Sequence, residues 1–549
     1  MKNIRAYLLI GFILTLSIKT TAQQIQLSAL ETKIDALIPS KVKDSTPGLV
    51  IGIVKNGALI FKKGYGLANL AYGIPNDSKM VYNLGSVSKQ FIGYAFAILH
   101  TQGKLHLDDS VSKYLDNWPE FEHTITIRHL LTHTSGYREA YTMSELAGRV
   151  IGVDRLTKEE CLNVIRKQPK LEYIPGTRHT YNSTAYVVLA EILKKVTNTP
   201  ADVWVETNLL QPLEMNNTQI ESHVGEVIIN AAESYAFNQK EGYTNEHSNR
   251  AIFGAADVYS SVEDLAKWFA IFRSDVIGGD DVRKVFVEPY ILKDGIDSEY
   301  ALGIRTNTHN GLKVHYHTGG HERFSTQMRY YPDHDLGIIV ISNFGSYGDV
   351  SDKKIGELLL AEYMTEAPQK ELKQVSVPTK DLARLEGLYI SKKLNATLEL
   401  RMFDESLLLN GRNQLIPTSN NTFGIQGWTG NIEINHSTNG TTYLSITDWL
   451  KETYYKVEKW KDDNVALTSY EGKYWSDELK TCYHLQVKDD TLTLQHRWLG
   501  TLLLRPISKD FFRSNKGFYV KFMRNEEGKI KGFNVNSERT TNVYFQRSK

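Results

Sequence analysis

The stretch YNLGSVSKQFIGYAFAIL, Tyr82 to Leu99, passes from an extended entry through Gly85 into a segment that is apolar on nearly all faces and ends at Gly103. This pattern predicts a short strand, a turn and a buried helix. Ser86 and Lys89 stand at i and i+3, so they share one face one turn apart. Gly85 relieves crowding at the turn, and the free backbone amides at a helix start point toward an anion. A lysine held among Phe91, Ile92 and other apolar groups is pushed toward its neutral, proton-accepting form. A serine nucleophile with a lysine base is the chemistry this arrangement points to.

The same four letters return at Ser110 to Lys113 in LHLDDSVSKYLDNWP, and the looser Ser-x-x-Lys pattern occurs at Ser40 to Lys43 and Ser351 to Lys354. Context separates the copies. Asp108 and Asp109 favour a charged Lys113, and a charged, solvated lysine is a poor base. Ser110 is therefore expected to start a short helix near an exposed face, with Asp108 and Asp109 as turn and capping residues. Ser40 lies in a polar connector, and Ser351 is placed to cap the helix that follows it.

The 64 basic and 63 acidic side chains leave no charge surplus for binding nucleic acid or an anionic membrane, so any partner must be recognised locally. The first segment has Lys2 and Arg5, an apolar run from Ala6 to Ile18 and the small-residue end Thr20-Thr21-Ala22. It reads as a secretory signal, residues 1–22, removed after Ala22, with export to the periplasm or medium and no stable membrane anchor. Cys161 and Cys482 are the only cysteines, and two free thiols are expected.

Residues 23–365 alternate helical and strand-like runs. LSALETKIDALIPS is helical by period, GLVIGIVKNGALIFKKGYG is a hairpin turning at Asn56-Gly57, and VHYHTGG, FSTQMRYYP and LGIIVISN are strands. The expected fold is an α/β (α+β) domain, an antiparallel sheet flanked by helices. Residues 366–380 are polar and rich in proline and read as a linker. Beyond it the chain repeats itself: Leu385-Glu386-Gly387-Leu388-Tyr389 returns as Tyr470-Glu471-Gly472-Lys473-Tyr474, and TLELRMFDESLLL as CYHLQVKDDTLTL. Two small antiparallel barrel-like β modules are expected, at 381–462 and 463–549, packing against the first domain or burying contacts between copies of a homo-oligomer.

Two further segments raise the chemical reading of Ser86. PGTRHTYNSTAYVVLAEIL places Tyr181 and Asn182 in a turn before a helix, and HYHTGGHERFSTQMRYYP places His317-Thr318-Gly319-Gly320 along a strand. With GSVSKQF, GKLHLDDSVSKYL, ITIRHLLTHTSGY and GAADVYSSVEDLAKW in the same order, residues 30 to 365 resemble the serine β-lactamase-like superfamily of class C β-lactamases, D-alanyl-D-alanine carboxypeptidases, D-aminopeptidases and esterases. The linker and paired β modules look most like its D-aminopeptidases.

The resemblance implies that Ser86 forms an acyl-enzyme, Lys89 takes or relays its proton, and Tyr181 moves protons to the leaving group. It implies His317 where lactamases carry lysine, an oxyanion hole from the amides of Ser86 and Gly320, and Thr318 and Ser183 among the substrate-binding residues. No metal ligand cluster stands out, so hydrolysis without metal or other cofactor is expected, on a small-molecule or peptide substrate of cell-wall type. Two departures bear on specificity. Ser183 stands where the family's motif has asparagine, with Asn182 one place earlier, and His317 lacks the permanent charge of lysine, a charge Arg323 would supply if it points inward. Both favour a peptidase, amidase or esterase, the alternatives being a penicillin-binding or acyl-sensing protein with little turnover and a weak β-lactamase. His133 and Ser135 are expected to hold a loop backbone, and Tyr137 to line the cleft.

Overall fold

The computed structural model describes residues 28–348, 350–365, 372–391, 397–425, 431–437, 440–446, 452–457, 467–537 and 539–548. The segment read as a signal lies outside the described residues, as does part of the linker. Among the described residues no helix is long and apolar enough to cross a membrane. Contacts divide the described residues into two compact units, one drawn from residues 28–107, 189–288 and 300–364 and the other from residues 108–188, 289–299 and the described residues beyond 364.

The first unit is built on a six-stranded antiparallel sheet. Its strands run in the order Arg305–His309, Leu312–His321, Phe324–Tyr331, Leu336–Ser342, Leu49–Lys55 and Ala58–Tyr65. The Asn56-Gly57 turn closes the last pair, with Asn56 at φ 50° and Gly57 at φ 76°, the left-handed pair that a two-residue hairpin needs. Pairing of Leu49–Lys55 with Leu336–Ser342 joins the beginning of the unit to its end. Alternation sends Leu49, Ile51 and Ile53 into a core with Val314, Ile338, Val340 and Ile355. On the opposite face the helix Val262–Trp268 approaches so closely that a Cβ at Gly52 would lie 2.4 Å from Val262.

The predicted helix after Ser86 begins later than its period suggests. Gly85–Ser88 form a 3₁₀ turn and the α-helix proper spans Lys89–Thr101. Every residue from Lys89 to Leu99 is buried. Each large apolar side chain among them contributes roughly 1.5–3 kcal/mol by leaving water.

The second unit holds two closed eight-stranded antiparallel barrels, spanning Gly387–Lys456 and Gly472–Arg547. The repeat is real at the level of single bonds. Tyr389 donates to the Leu385 carbonyl at 2.7 Å and Tyr474 to the Tyr470 carbonyl at 2.8 Å. Glu386 and Glu471 accept the amides of Met402 and Val487. The first barrel fills its own core, with Leu382 added from the preceding helix Thr379–Leu385. The second takes Met143 and Leu146, from the helix Ala140–Leu146, into its core. Arg138, only 1% exposed, secures that seam by pairing with Glu172 at 3.0 Å and Glu478 at 2.7 Å. Residues 372–378, read as linker, run along the first barrel, where the Val375 amide donates to the Pro417 carbonyl.

Candidate active site

In the first unit, the backbone entering the serine turn is bonded at each step. The Leu84 amide donates to the Val258 carbonyl at 2.8 Å, and the Gly85 amide to Asn83 Oδ1 at 2.9 Å. Gly85 is left-handed at φ 53°, which costs glycine little. Ser88 Oγ accepts the Val258 amide, so the turn and the strand Val258–Ser260 grip each other. This frame presents Ser86. Lys89, with no exposed surface, places Nζ 3.1 Å from Ser86 Oγ and donates to the Ala255 carbonyl at 2.7 Å. Once deprotonated, the Lys89 amine, still donating one hydrogen to Ala255, can turn its lone pair to the serine hydroxyl and accept its proton.

The strand Leu312–His321 passes the same turn. A Cβ at Gly319 would fall 1.9 Å from the Leu84 carbonyl and 3.0 Å from the Ser86 amide nitrogen, and one at Gly85 would strike the Gly320 backbone. The glycines of the strand motif thus let two backbones meet beside Ser86, bringing the Gly320 main chain to the serine turn. His317 is buried on the same strand face as Gly319. Its Nδ1 donates to the Thr318 carbonyl at 2.7 Å, which leaves Nε2 to accept from the Tyr300 hydroxyl at 2.9 Å. Burial, then the charge of Lys89, pulls its pKa down to about 3, so the ring is neutral. Thr318 is exposed, and so is Arg323 at the hairpin tip, which removes the inward-pointing reading of that arginine. Tyr300 carried no signal in the sequence, because a lone tyrosine in SEYALGI matches no chemical spacing.

In the second unit, Tyr181 lies in the turn before the helix Ser183–Thr197. His133 builds that turn. Its carbonyl accepts the Thr180 amide at 2.8 Å, its Nδ1 accepts the Asn182 amide at 3.0 Å, and its ring lies 4.1 Å from the Tyr181 ring. It does so at φ 57°, a left-handed conformation unusual for a residue with a Cβ. Arg539 of the second barrel sits over Tyr181, 5.4 Å from its centroid. Asn182 is committed to structure: Nδ2 donates to the Tyr137 and Arg138 carbonyls and Oδ1 accepts the Ala185 amide. Ser183 opens the helix and is 5% exposed. Ser135 Oγ accepts the Tyr137 amide, the backbone role expected for it. Tyr137 corrects the expectation that it lines the cleft: it is 2% exposed and its hydroxyl accepts from Trp118 at 2.9 Å.

The second copy of the tetrapeptide is built differently. Ser110 caps the 3₁₀ turn Val111–Lys113 by accepting the Ser112 amide. Lys113 pairs with Asp109 at 2.9 Å, and that hydrogen bond holds its pKa above the ordinary lysine value.

A profile of the beta-lactamase family matches residues 31–362. The chain is similar to penicillin-binding protein 4* of Bacillus subtilis, 24% identical over 404 residues that cover 69% of this chain and 88% of that protein. It is similar to a D-aminopeptidase of Cereibacter sphaeroides, 26% identical over 355 residues that cover 63% and 65% of the two chains. Two further curated relatives are spanned over 46% and 63% of their lengths. In fold it is similar to the octameric penicillin-binding protein homologue from Pyrococcus abyssi, with a TM-score of 0.53 at 21% identity, covering 87% of this chain and 99% of that one. Because the profile takes in more than half of the chain, including the segments that carry Ser86, Lys89, Tyr181 and His317, the chain belongs to the beta-lactamase family and is related to D-aminopeptidases and penicillin-binding proteins.

Proposed function

We propose that this chain is an exported serine hydrolase that forms an acyl-enzyme on Ser86 and acts, without metal, on D-amino-acid amides or peptides or on esters. The observation that carries the reading is the buried Lys89 Nζ, 3.1 Å from Ser86 Oγ and oriented by the Ala255 carbonyl. Ser86 Oγ attacks the acyl carbon and its proton passes to Lys89. The backbone amides of Ser86 and Gly320 stabilise the tetrahedral oxyanion. As the bond to the leaving group breaks, Tyr181 delivers a proton to the departing nitrogen or oxygen and regains one from the proton held by Lys89; water then adds to the ester carbon, giving its proton to the freed base, and that proton passes to Ser86 Oγ as the acid is released.

A neutral His317 offers no fixed charge to a substrate carboxylate, which favours uncharged amides and esters over β-lactams. The test is one panel: a chromogenic cephalosporin, a D-alanine anilide and a short-chain phenyl ester, each with the wild-type chain and Ser86→Ala. Turnover of the anilide or ester that vanishes in the variant supports the proposal; turnover that survives overturns it. The N-terminal sequence of the chain recovered outside the cytoplasm tests export, with Gln23 the expected first residue.

A second reading, an acyl-sensing protein that binds penicillin and scarcely releases it, draws on Asn182, whose amide is occupied by Tyr137 and Arg138. A penicillin adduct on Ser86 that persists in the intact mass favours that reading, and rapid return to the free mass favours the hydrolase.

A further inference from the structure

Asp257 stands in GAADVYSS, a segment matched to the family but given no part in the acyl transfer above. It is fully buried, and its backbone is left-handed at φ 73°. A carboxylate there bears two costs, one of backbone conformation and one of desolvation. What offsets them is a set of contacts to three different segments. Asp257 Oδ2 accepts the Ile252 amide at 2.6 Å and Oδ1 lies 3.5 Å from Asn83 Nδ2, while His321 Nε2, bonded to Ser248 Oγ at 2.9 Å, packs 3.7 Å from Oδ1.

Each contact leads to the reaction centre in one more step. The Ile252 carbonyl accepts the Ala255 amide at 3.1 Å, and the Ala255 carbonyl is the group that orients Lys89. Asn83 Oδ1 accepts the amide of Gly85, the residue before Ser86. His321 ends the strand whose Gly320 backbone abuts Gly85. The next residue, Val258, bonds both ways to the serine turn, through Ser88 Oγ and the Leu84 amide.

We infer that Asp257 is a positioning residue whose carboxylate ties the loop that aims Lys89 to the turn that presents Ser86. The inference rests on the acyl-enzyme reading of that pair. The charged and titratable groups facing Asp257 are His321, Asn83's neighbour Tyr259, Glu221, and Arg250 paired with Glu322 at 2.7 Å. Burial raises the carboxyl to about 6, with Arg250 pulling the other way, and burial keeps His321 neutral. As pH falls through about 6 the carboxylate gains a proton, one oxygen ceases to be a full acceptor, and the tie slackens.

The test uses Asp257→Gly, which keeps the left-handed backbone, and Asp257→Asn, which keeps the shape and removes the charge. Acylation of Ser86 by a fluorescent penicillin is followed by rate and by intact mass between about pH 5 and about pH 8, with Tm measured alongside. The expected result is acylation roughly ten- to a hundredfold slower in the folded Gly variant, and an Asn variant whose profile lacks the limb near pH 6. Rates within about twofold of wild type at every pH, or a loss matching only the unfolded fraction, overturn the inference. The proposed function stands or falls on the Ser86→Ala panel above; if the wild-type chain takes up no penicillin, a crystal structure of Asp257→Gly decides the positioning claim by itself. Lys89 parted from Ala255 or from Ser86 supports it; unchanged distances overturn it.

Discussion

Ser86 and Ser110 each begin the tetrapeptide Ser-Val-Ser-Lys, and the two copies have opposite surroundings. At the first, the lysine is stripped of water and aimed by a carbonyl from residue 255 at the serine three residues back. At the second, the serine caps its own short turn and the lysine reaches outward to Asp109, its side chain 58% exposed. Spacing is identical, so spacing is not what makes a base. On the proposed acyl-enzyme reading, desolvation and an orienting acceptor do that, and both come from residues outside the motif.

The largest expected difference between the copies is chemical. With Ser86 as the proposed nucleophile, Ser86→Ala is expected to lower hydrolysis of the best substrate more than about a thousandfold, because only binding and oxyanion stabilisation are left. Ser110→Ala in the same assay leaves kcat/KM within about twofold, since only the amide cap and an exposed hydroxyl contact with Ser112 are lost. Next comes the base. Lys89→Met keeps the apolar stem and costs on the order of a hundred- to ten-thousandfold in the acylation rate, while Lys113→Met leaves that rate and Tm unaltered.

A smaller effect tests the frame. Gly85→Ala forces a Cβ into a left-handed site and against the Gly320 backbone, and is expected to lower stability by about 1–3 kcal/mol in denaturant unfolding and to reduce activity of the folded fraction. The smallest is a pH effect confined to the buried copy's side. His317 has a folded pKa near 3, below its unfolded value, so its contribution to stability is present above about pH 6.5 and is lost as pH falls toward 3. Tm measured across that window declines less steeply in His317→Gln than in the wild-type chain. An unchanged slope would show that the histidine is not held neutral.

Much of the fold was legible because it rests on local period. The Asn56-Gly57 hairpin, the buried helix, the capping role of Ser351, and the barrel repeat read from glycine and tyrosine positions all appear where the pattern placed them. The start of the helix did not: period alone cannot tell the 3₁₀ turn at Gly85–Ser88 from the first turn of an α-helix, since both bring i and i+3 together. Tyr137 was misplaced because an aromatic beside a glycine turn reads equally as a cleft wall or as packing, and only the distant Trp118 decides.

By itself the sequence determined which serine has a lysine one turn away on an apolar segment, which strand carries paired glycines, and that the C-terminal region is one plan used twice. Those facts depend on neighbours within a few positions. Only the tertiary structure decided that Ala255 aims Lys89 from 166 residues away, that Tyr300 occupies the outer nitrogen of His317, and that Arg138 meets Glu478 across 340 residues. A hydrogen-bond acceptor leaves no periodic trace in the chain. Its identity is fixed only when folding brings it to a buried donor that must be satisfied.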